Sequence, residues 1–201
     1  MRIFIAGASG LIGIRLIPLL AADGHQVAGM TRSPEKATVL RERGALPVVC
    51  DVFDAGALTQ ALAAFGPEVV FHQLTDLPDD AADLGRFSDR NDRMHSEGTR
   101  NLLAAAVAAG GARVIAQSIA WELPGEHRRA VTAAHERAVL HAGGLVIRYG
   151  QLWGPGTYYP AGPPDPPRIH VDDAARQTLS ALEAQPGLTI AADDRATHDR
   201  G

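Results

Sequence analysis

Lysine is almost absent from this chain: Lys36 is the only one in 201 residues. Arginine therefore carries nearly all the positive charge. The 19 basic side chains are outnumbered by 23 acidic ones, for a net charge of −4. With no basic block, neither nucleic acid nor an anionic membrane is an expected partner. Cys50 is the only cysteine, which excludes an intrachain disulfide and suits a reducing cytoplasm. No apolar run approaches the roughly 20 residues needed to span a bilayer. The apolar start breaks at Gly7, so a secretory leader is not expected and a cytoplasmic location is. The eight histidines and the paired aspartates form no close-spaced ligand motif such as His-Glu-x-x-His, so no metal is expected. A Gly-x-Ser-x-Gly nucleophile elbow is also missing.

What is present is concentrated at the start. Arg2-Ile3-Phe4-Ile5-Ala6 is a short apolar run, followed at once by Gly7-Ala8-Ser9-Gly10-Leu11-Ile12-Gly13 and an apolar-periodic segment to Ala22. Gln26 to Met30 is a second run, closed by Thr31-Arg32. This spells strand, glycine turn, helix, strand, the opening of a dinucleotide-binding βαβ unit. Gly7 permits the sharp turn. Gly10, without a Cβ, lets a pyrophosphate approach the backbone, and Gly13 lets the helix pack close to the sheet. The helix start then presents free N–H groups and partial positive charge to the phosphates. Ser9, Leu11 and Ile12 complete the turn. At the end of the second strand, where a carboxylate usually holds the adenine ribose 2′-hydroxyl, stands Thr31-Arg32-Ser33. A guanidinium there suits a 2′-phosphate, so NADP(H) is favoured over NAD(H).

The rest of the chain alternates strands and helices. Expected helices cover Pro34 to Arg43, with Ser33 as N-cap, then Ala55 to Ala64 behind an Asp54 cap. Others cover Arg90 to Ala109, Arg128 to His141, and Asp172 to Glu183, the last with Asp172 as its N-cap. Expected strands are Leu46–Cys50, Pro67–His72, Arg113–Ala116, Gly144–Arg148 and Leu188–Ala191. Asp76 to Asp89 is polar and acidic and read as loop, with or without a helical turn. Gly154 to Pro167 is glycine- and proline-rich and read as extended or turning. The tail from Asp193 is expected to fray. Continuous Val/Ile/Ala strands imply a sheet covered on both faces. The fold class is therefore α/β, a Rossmann-type doubly wound parallel sheet of about six to seven strands in one domain over 1–201.

Taken together these landmarks resemble the extended and atypical short-chain dehydrogenase/reductases, and within them the NAD(P)-dependent epimerase/dehydratase group. The glycine motif, Asp51-Val52 and His72-Gln73-Leu74-Thr75 carry the resemblance in the first half. Gly98 to Ala106, Ala116-Gln117-Ser118-Ile119-Ala120, Arg148 to Gly156 and Ile169-His170-Val171-Asp172-Asp173 carry it in the second. The resemblance implies that Asp51 and Val52 contact adenine and that Leu74 and Thr75 line the ribose and nicotinamide side. Ser118 falls at the catalytic Ser/Thr position. It also implies a homodimer through the helices at 90–109 and 128–141.

Two departures stand out. The group's Tyr-x-x-x-Lys pair would fall on Arg128 and Thr132, and Trp121 to Arg148 contains neither Tyr nor Lys. Between Gly156 and His170 there are thirteen residues, five of them Pro, so 151–170 is a residual substrate-lobe loop and the lobe is minimal. The remaining catalytic candidates are Ser118, His135 and Tyr149, with His127, His170, Tyr158 and Tyr159 behind them. His135, one helical turn from Thr132, is either a proton carrier or a helix-packing residue. The expected function is an NADP(H)-binding oxidoreductase acting on a small carbonyl, alcohol or nucleotide-sugar-like molecule. The alternatives are a cofactor-binding sensor without turnover, or a non-redox isomerase, cyclase or dehydratase on the same fold.

Overall fold

A computed structural model of the chain describes residues 1–78 and 80–193. The elements begin with β1 (Arg2–Ala6), α1 (Gly13–Ala22), β2 (Gln26–Thr31), α2 (Ala37–Glu42) and β3 (Leu46–Val49). Next come α3 (Ala55–Phe65), β4 (Val69–His72), α4 (Ser88–Arg93), α5 (Thr99–Ala108) and β5 (Arg113–Ile119). The chain continues through α6 (Glu126–His141), β6 (Leu145–Tyr149), β7 (Gln151–Trp153), β8 (Arg168–His170), α7 (Val171–Ser180) and β9 (Gly187–Ala191). None of these helices is long and apolar enough to cross a membrane.

Seven strands form one sheet in the order β3-β2-β1-β4-β5-β6-β9, every neighbouring pair parallel. Alternate residues of each strand face opposite layers. Ile3 and Ile5 meet Leu16, Ile17 and Leu20 of α1, whereas Phe4 meets Leu58 and Leu62 of α3 on the other side. Both layers are dry, which is why the strands read as continuous apolar runs. The chain leaves β1 toward β2 and β3, then crosses back to lay β4 on the other edge of β1. That reversal opens a crevice at the carboxyl ends of β1 and β4, where open α/β sheets bind ligands.

Three local expectations are corrected. The single helix expected over Arg90 to Ala109 is α4 and α5 joined by a π-helical turn, Met94–Gly98. The wider turn buries Met94 and turns His95 onto His135, and such turns have no periodicity signature. Ser33 makes no capping bond, because a 3₁₀ turn at Pro34–Lys36 precedes α2. The cap of α7 is His170, whose ring accepts from the Asp172 amide, while Asp172 itself pairs with Arg15 at 2.8 Å. The helical turn allowed within 76–89 is the 3₁₀ segment Ala81–Phe87, capped by Asp80. Beyond β6 the proline-rich stretch is bracketed by β7 and β8, a small parallel pair that alternation over three residues could not announce. The tail expected to fray lies, past Asp193, outside the described residues.

Candidate functional site

The glycine turn sits on the strand-order reversal. Gly7 has φ +89°, and a Cβ on it would stand 2.4 Å from the carbonyl oxygen of Gln73, the residue after β4. A Cβ on Gly13 would stand 2.5 Å from the Gly7 carbonyl oxygen. These two glycines are demanded by backbone pressed on backbone. Gly10 differs: it is exposed, and a Cβ there would meet only the Gly7 oxygen, at 3.2 Å. Its missing side chain leaves the outer surface of the turn open. No side chain caps the start of α1, and the Ile14 and Arg15 amides donate to the Gly10 and Ile12 carbonyls. Ser9 is tied by its hydroxyl to Thr31, 3.1 Å away, and the Ala8 amide donates to the Met30 carbonyl at 3.0 Å. Leu11 is exposed beside the turn, and Ile12 is buried beneath it. An open glycine cradle leading into a helix start without a side-chain cap fits a pyrophosphate.

Arg32, at the end of β2, does not stand alone. It donates to Asp76 at 2.7 Å, and Arg90 of α4 grips the same carboxylate at 3.0 and 3.1 Å. Burial works against the ionised Asp76, but the bonds and charges of Arg32 and Arg90 outweigh it and hold its pKa below the ordinary carboxylate value. Neither Asp76 nor Arg90 stands out in the sequence, where Asp76 opens a polar stretch and Arg90 opens the helix expected over Arg90 to Ala109. Nearby, Asp51 is exposed and accepts from the Phe53 amide, whereas Val52 is buried and its carbonyl accepts from Asn101.

On the other side of the crevice, buried polar groups form a chain whose direction is set by its ends. The Leu74 amide can only donate, so Nδ1 of His72 accepts, at 3.4 Å. The Gln117 carbonyl can only accept, so Nε2 of His135 donates, at 2.9 Å. Between them His72 Nε2–H donates to the Thr99 hydroxyl at 3.0 Å, and Thr99 donates to His135 Nδ1 at 2.7 Å. Both imidazoles are neutral in this arrangement. Burial, the leading cause for each, pushes both pKa values down. The Gln117 side chain donates back to the Leu74 carbonyl at 2.9 Å, closing a ring between the ends of β4 and β5. His135 thus lies in the interior, against His72 and His95, rather than at a solvent-facing position.

Ser118 and Tyr149 are likewise engaged. Ser118 faces α6 and donates to Glu136 at 2.6 Å, while Arg148 holds both Glu136 oxygens at 2.7 and 2.5 Å. Tyr149 is 3% exposed, its hydroxyl lies 2.6 Å from that of Thr178, and burial pushes its pKa up to about 12. The sequence brought these residues forward as protic groups. The structure gives their polar atoms protein partners. Leu74 is half-buried and Thr75 exposed at the mouth of the crevice. Tyr158 donates to the Pro78 carbonyl, which ties the proline-rich loop to the segment after β4.

Past the end of β5 lies a cavity of about 280 Å³, lined by Ile119, Trp121, Arg129, Thr132, Glu136 and Arg148. It opens on the same edge of the sheet as the glycine turn. Thr132, at the position where the resemblance expects Lys, faces this space.

Residues 7–141 match the family of NAD(P)H-binding proteins. The chain is 34% identical over 226 positions to a 3-diazoavenalumate denitrifying reductase of a Streptomyces species, covering 92% of this chain and 73% of that protein. It is 30% identical over 178 positions to a 4-hydroxy-2-methyl-3-oxo-4-farnesyl-3,4-dihydroquinoline-1-oxide ketoreductase of Stigmatella aurantiaca, covering 77% and 51%. Among solved structures, the Thermotoga maritima UDP-glucose 4-epimerase with UDP-glucose superimposes with a TM-score of 0.79 at 19% identity, over 97% of this chain and 78% of that one. The Thermus thermophilus UDP-glucose 4-epimerase with NAD gives 0.76 at 21%, with the same coverage. At that identity the likeness to the epimerases is one of fold.

Proposed function

This chain belongs to the NAD(P)H-binding family, as an atypical relative of the short-chain dehydrogenase/reductases, and on that premise we propose that it is an NADPH-dependent reductase of a small electrophilic molecule. The observation that carries this reading is the open glycine cradle at the strand-order reversal, leading into a helix start that no side chain caps. In it Gly7, Ser9, Gly10, Leu11, Ile12 and Gly13 would hold the pyrophosphate. Asp51 and Val52 would meet the adenine, Leu74 and Thr75 the far ribose, and Arg32 a 2′-phosphate. When bound, NADPH supplies the hydride. The cavity beside Thr132 would take the substrate.

The three leading candidates have little to offer as acids. Ser118 and His135 donate to protein acceptors and Tyr149 is sealed in the core, so all three serve as positioning groups. A substrate whose reduction needs no proton from a side chain suits such a site. A diazonium carbon is one: it takes hydride while N2 leaves with the C–N bonding electrons. The similarity to the diazo-reducing relative supports this class. A carbonyl would instead draw its proton from water in the open cavity. A second reading, cofactor binding without turnover, is favoured by Thr132 and Arg128 standing where the resemblance expects Lys and Tyr.

Loss of NADPH absorbance with a panel of aryl diazonium carboxylates and small ketones tests the choice. Turnover supports the reductase. Tight NADPH binding with no turnover supports the second reading, and no binding of either cofactor defeats both. Arg32→Ala is expected to weaken NADPH by about tenfold or more relative to NADH, the worth of one charge-assisted phosphate contact. An equal loss for both cofactors removes the 2′-phosphate assignment.

A further inference from the structure

The reading above assigns the 2′-phosphate to Arg32 alone, but Arg32 is one arm of a larger arrangement. Asp76 lies just past β4, and its side chain is only 7% exposed. Arg32 reaches it from the end of β2 through both terminal nitrogens, at 2.7 and 3.4 Å. Arg90 reaches it from α4 through Nε and a terminal nitrogen, at 3.0 and 3.1 Å. Two guanidiniums bonded to the two oxygens of one carboxylate are necessarily neighbours. Each is about half exposed while the carboxylate between them is not. The acid is thus covered and the two cations face outward.

Two guanidiniums and one carboxylate leave a net +1. A guanidinium carries five N–H donors, and each one here uses two on Asp76, so three on each arm remain. The arms are braced from behind as well. The Asp76 amide donates to the Asn91 side chain at 3.1 Å, and the Arg90 guanidinium lies over the Phe87 ring at 4.6 Å. Asp51, a second carboxylate, also acts on Arg32 and offsets part of that positive charge, so the outward donors rather than net charge favour an anion. A buried anion that orients two outward cations costs less ordering on binding than two free arginines would, since the side chains are already held.

We propose that Arg32, Asp76 and Arg90 form a preorganised two-guanidinium cradle for a phosphate monoester, with Arg90 a second selector of the 2′-phosphorylated cofactor and Asp76 the residue that positions both arms. This rests on the NADPH reading and adds to it a residue from a different element, one that the segment after β4 must deliver. It also gives Asp76 a role opposite in sign to its charge: the carboxylate favours an anionic ligand by aiming its neighbours.

Binding of NADPH, NADH, adenosine 2′,5′-bisphosphate and ADP to the full chain, measured by calorimetry, tests it. Arg90→Ala is expected to lower the NADPH-to-NADH affinity ratio about tenfold, and the bisphosphate-to-ADP ratio alike. Asp76→Asn, similar in shape but uncharged, is expected to lower the same ratios by several-fold. A rise in the ratios with Asp76→Asn would mean that the carboxylate only opposes the ligand, which overturns its positioning role. If wild type prefers NADPH and Arg32→Ala removes that preference while Arg90→Ala leaves it, the cradle fails and the Arg32 reading stands. If wild type shows no preference, the NADPH reading has failed first. Circular dichroism of each variant identifies one that has failed to fold, and Arg90→Lys then replaces Arg90→Ala, with a smaller fall in both ratios expected and an unchanged ratio counting against the cradle.

Discussion

The two sides of the crevice use polar groups in opposite ways. On the β1–β2 side the turn is open, its helix start lacks a side-chain cap, and two half-exposed guanidiniums face outward. On the β4–β5 side nearly every polar side chain is closed on a protein partner: His72, Thr99 and His135 in one chain, Ser118, Glu136 and Arg148 in another. On the proposed reading the first side receives an anion. The second is built to stay still. A reductase that needed a side-chain acid would keep one donor free on the second side. The difference therefore points to a site that positions a cofactor and leaves proton supply to solvent or to the substrate's own chemistry.

The sharpest way to break this contrast is to fill the receiving side. Gly7→Ala would put a methyl 2.4 Å from the Gln73 carbonyl at φ +89°. Left-handed strain of roughly 1–2 kcal/mol and overpacking of about 1–3 kcal/mol both follow. NADPH affinity is expected to fall at least tenfold, and the melting temperature with it; titration and calorimetry check both. Unchanged binding would mean that the turn is not the cofactor's seat.

Next comes the immobile side. Thr99→Val keeps the shape but orphans the Nε2–H of His72 and the Nδ1 of His135, at about 1–3 kcal/mol for each buried group left unpaired. Urea denaturation should show a loss of roughly 2–4 kcal/mol, largely restored by Thr99→Ser. A neutral Thr99→Val would dissolve the idea of a rigid half.

The smallest effect is set by pH. Burial is the leading cause that lowers the pKa of His72, His95 and His135, and His95 falls from 6.5 to about 4. Below about 6.5 the unfolded chain takes up protons that the folded one refuses, so stability declines as pH falls. For His95 that decline ends near pH 4, where the folded ring also protonates. His95→Phe should flatten the slope of stability against pH between those limits by up to about 1.4 kcal/mol per pH unit. An unaltered slope would remove His95 from the set.

Legibility followed the distance over which each feature is built. The glycine turn spans seven consecutive residues, so its chemistry could be read from spacing alone. The parallel, doubly wound sheet around it followed from the alternation of apolar strands with helices, while the strand order came only from the structure. Arg32 was legible for the same reason, as the residue ending β2. Asp76 and Arg90 were not, because their meaning lies in a carboxylate that meets cations 44 and 14 residues away. The histidine chain draws on β4, α5 and α6, and no local pattern announces it. His135 stood open between proton carrier and helix-packing residue; packing against His72 and His95 shows that its ring is enclosed.

The sequence by itself determined the class of sheet, the place of the turn and the kind of ligand that the turn can hold. Those depend on short-range sterics: a backbone that must bend, a helix that must begin, strands that must be covered on both faces. The tertiary structure alone decided which polar groups stay available. A hydroxyl or an imidazole is free or engaged according to what lies within about 3 Å of it. Ser118, His135 and Tyr149 found those partners on other elements, whereas the outer faces of Arg32 and Arg90 remained open to solvent.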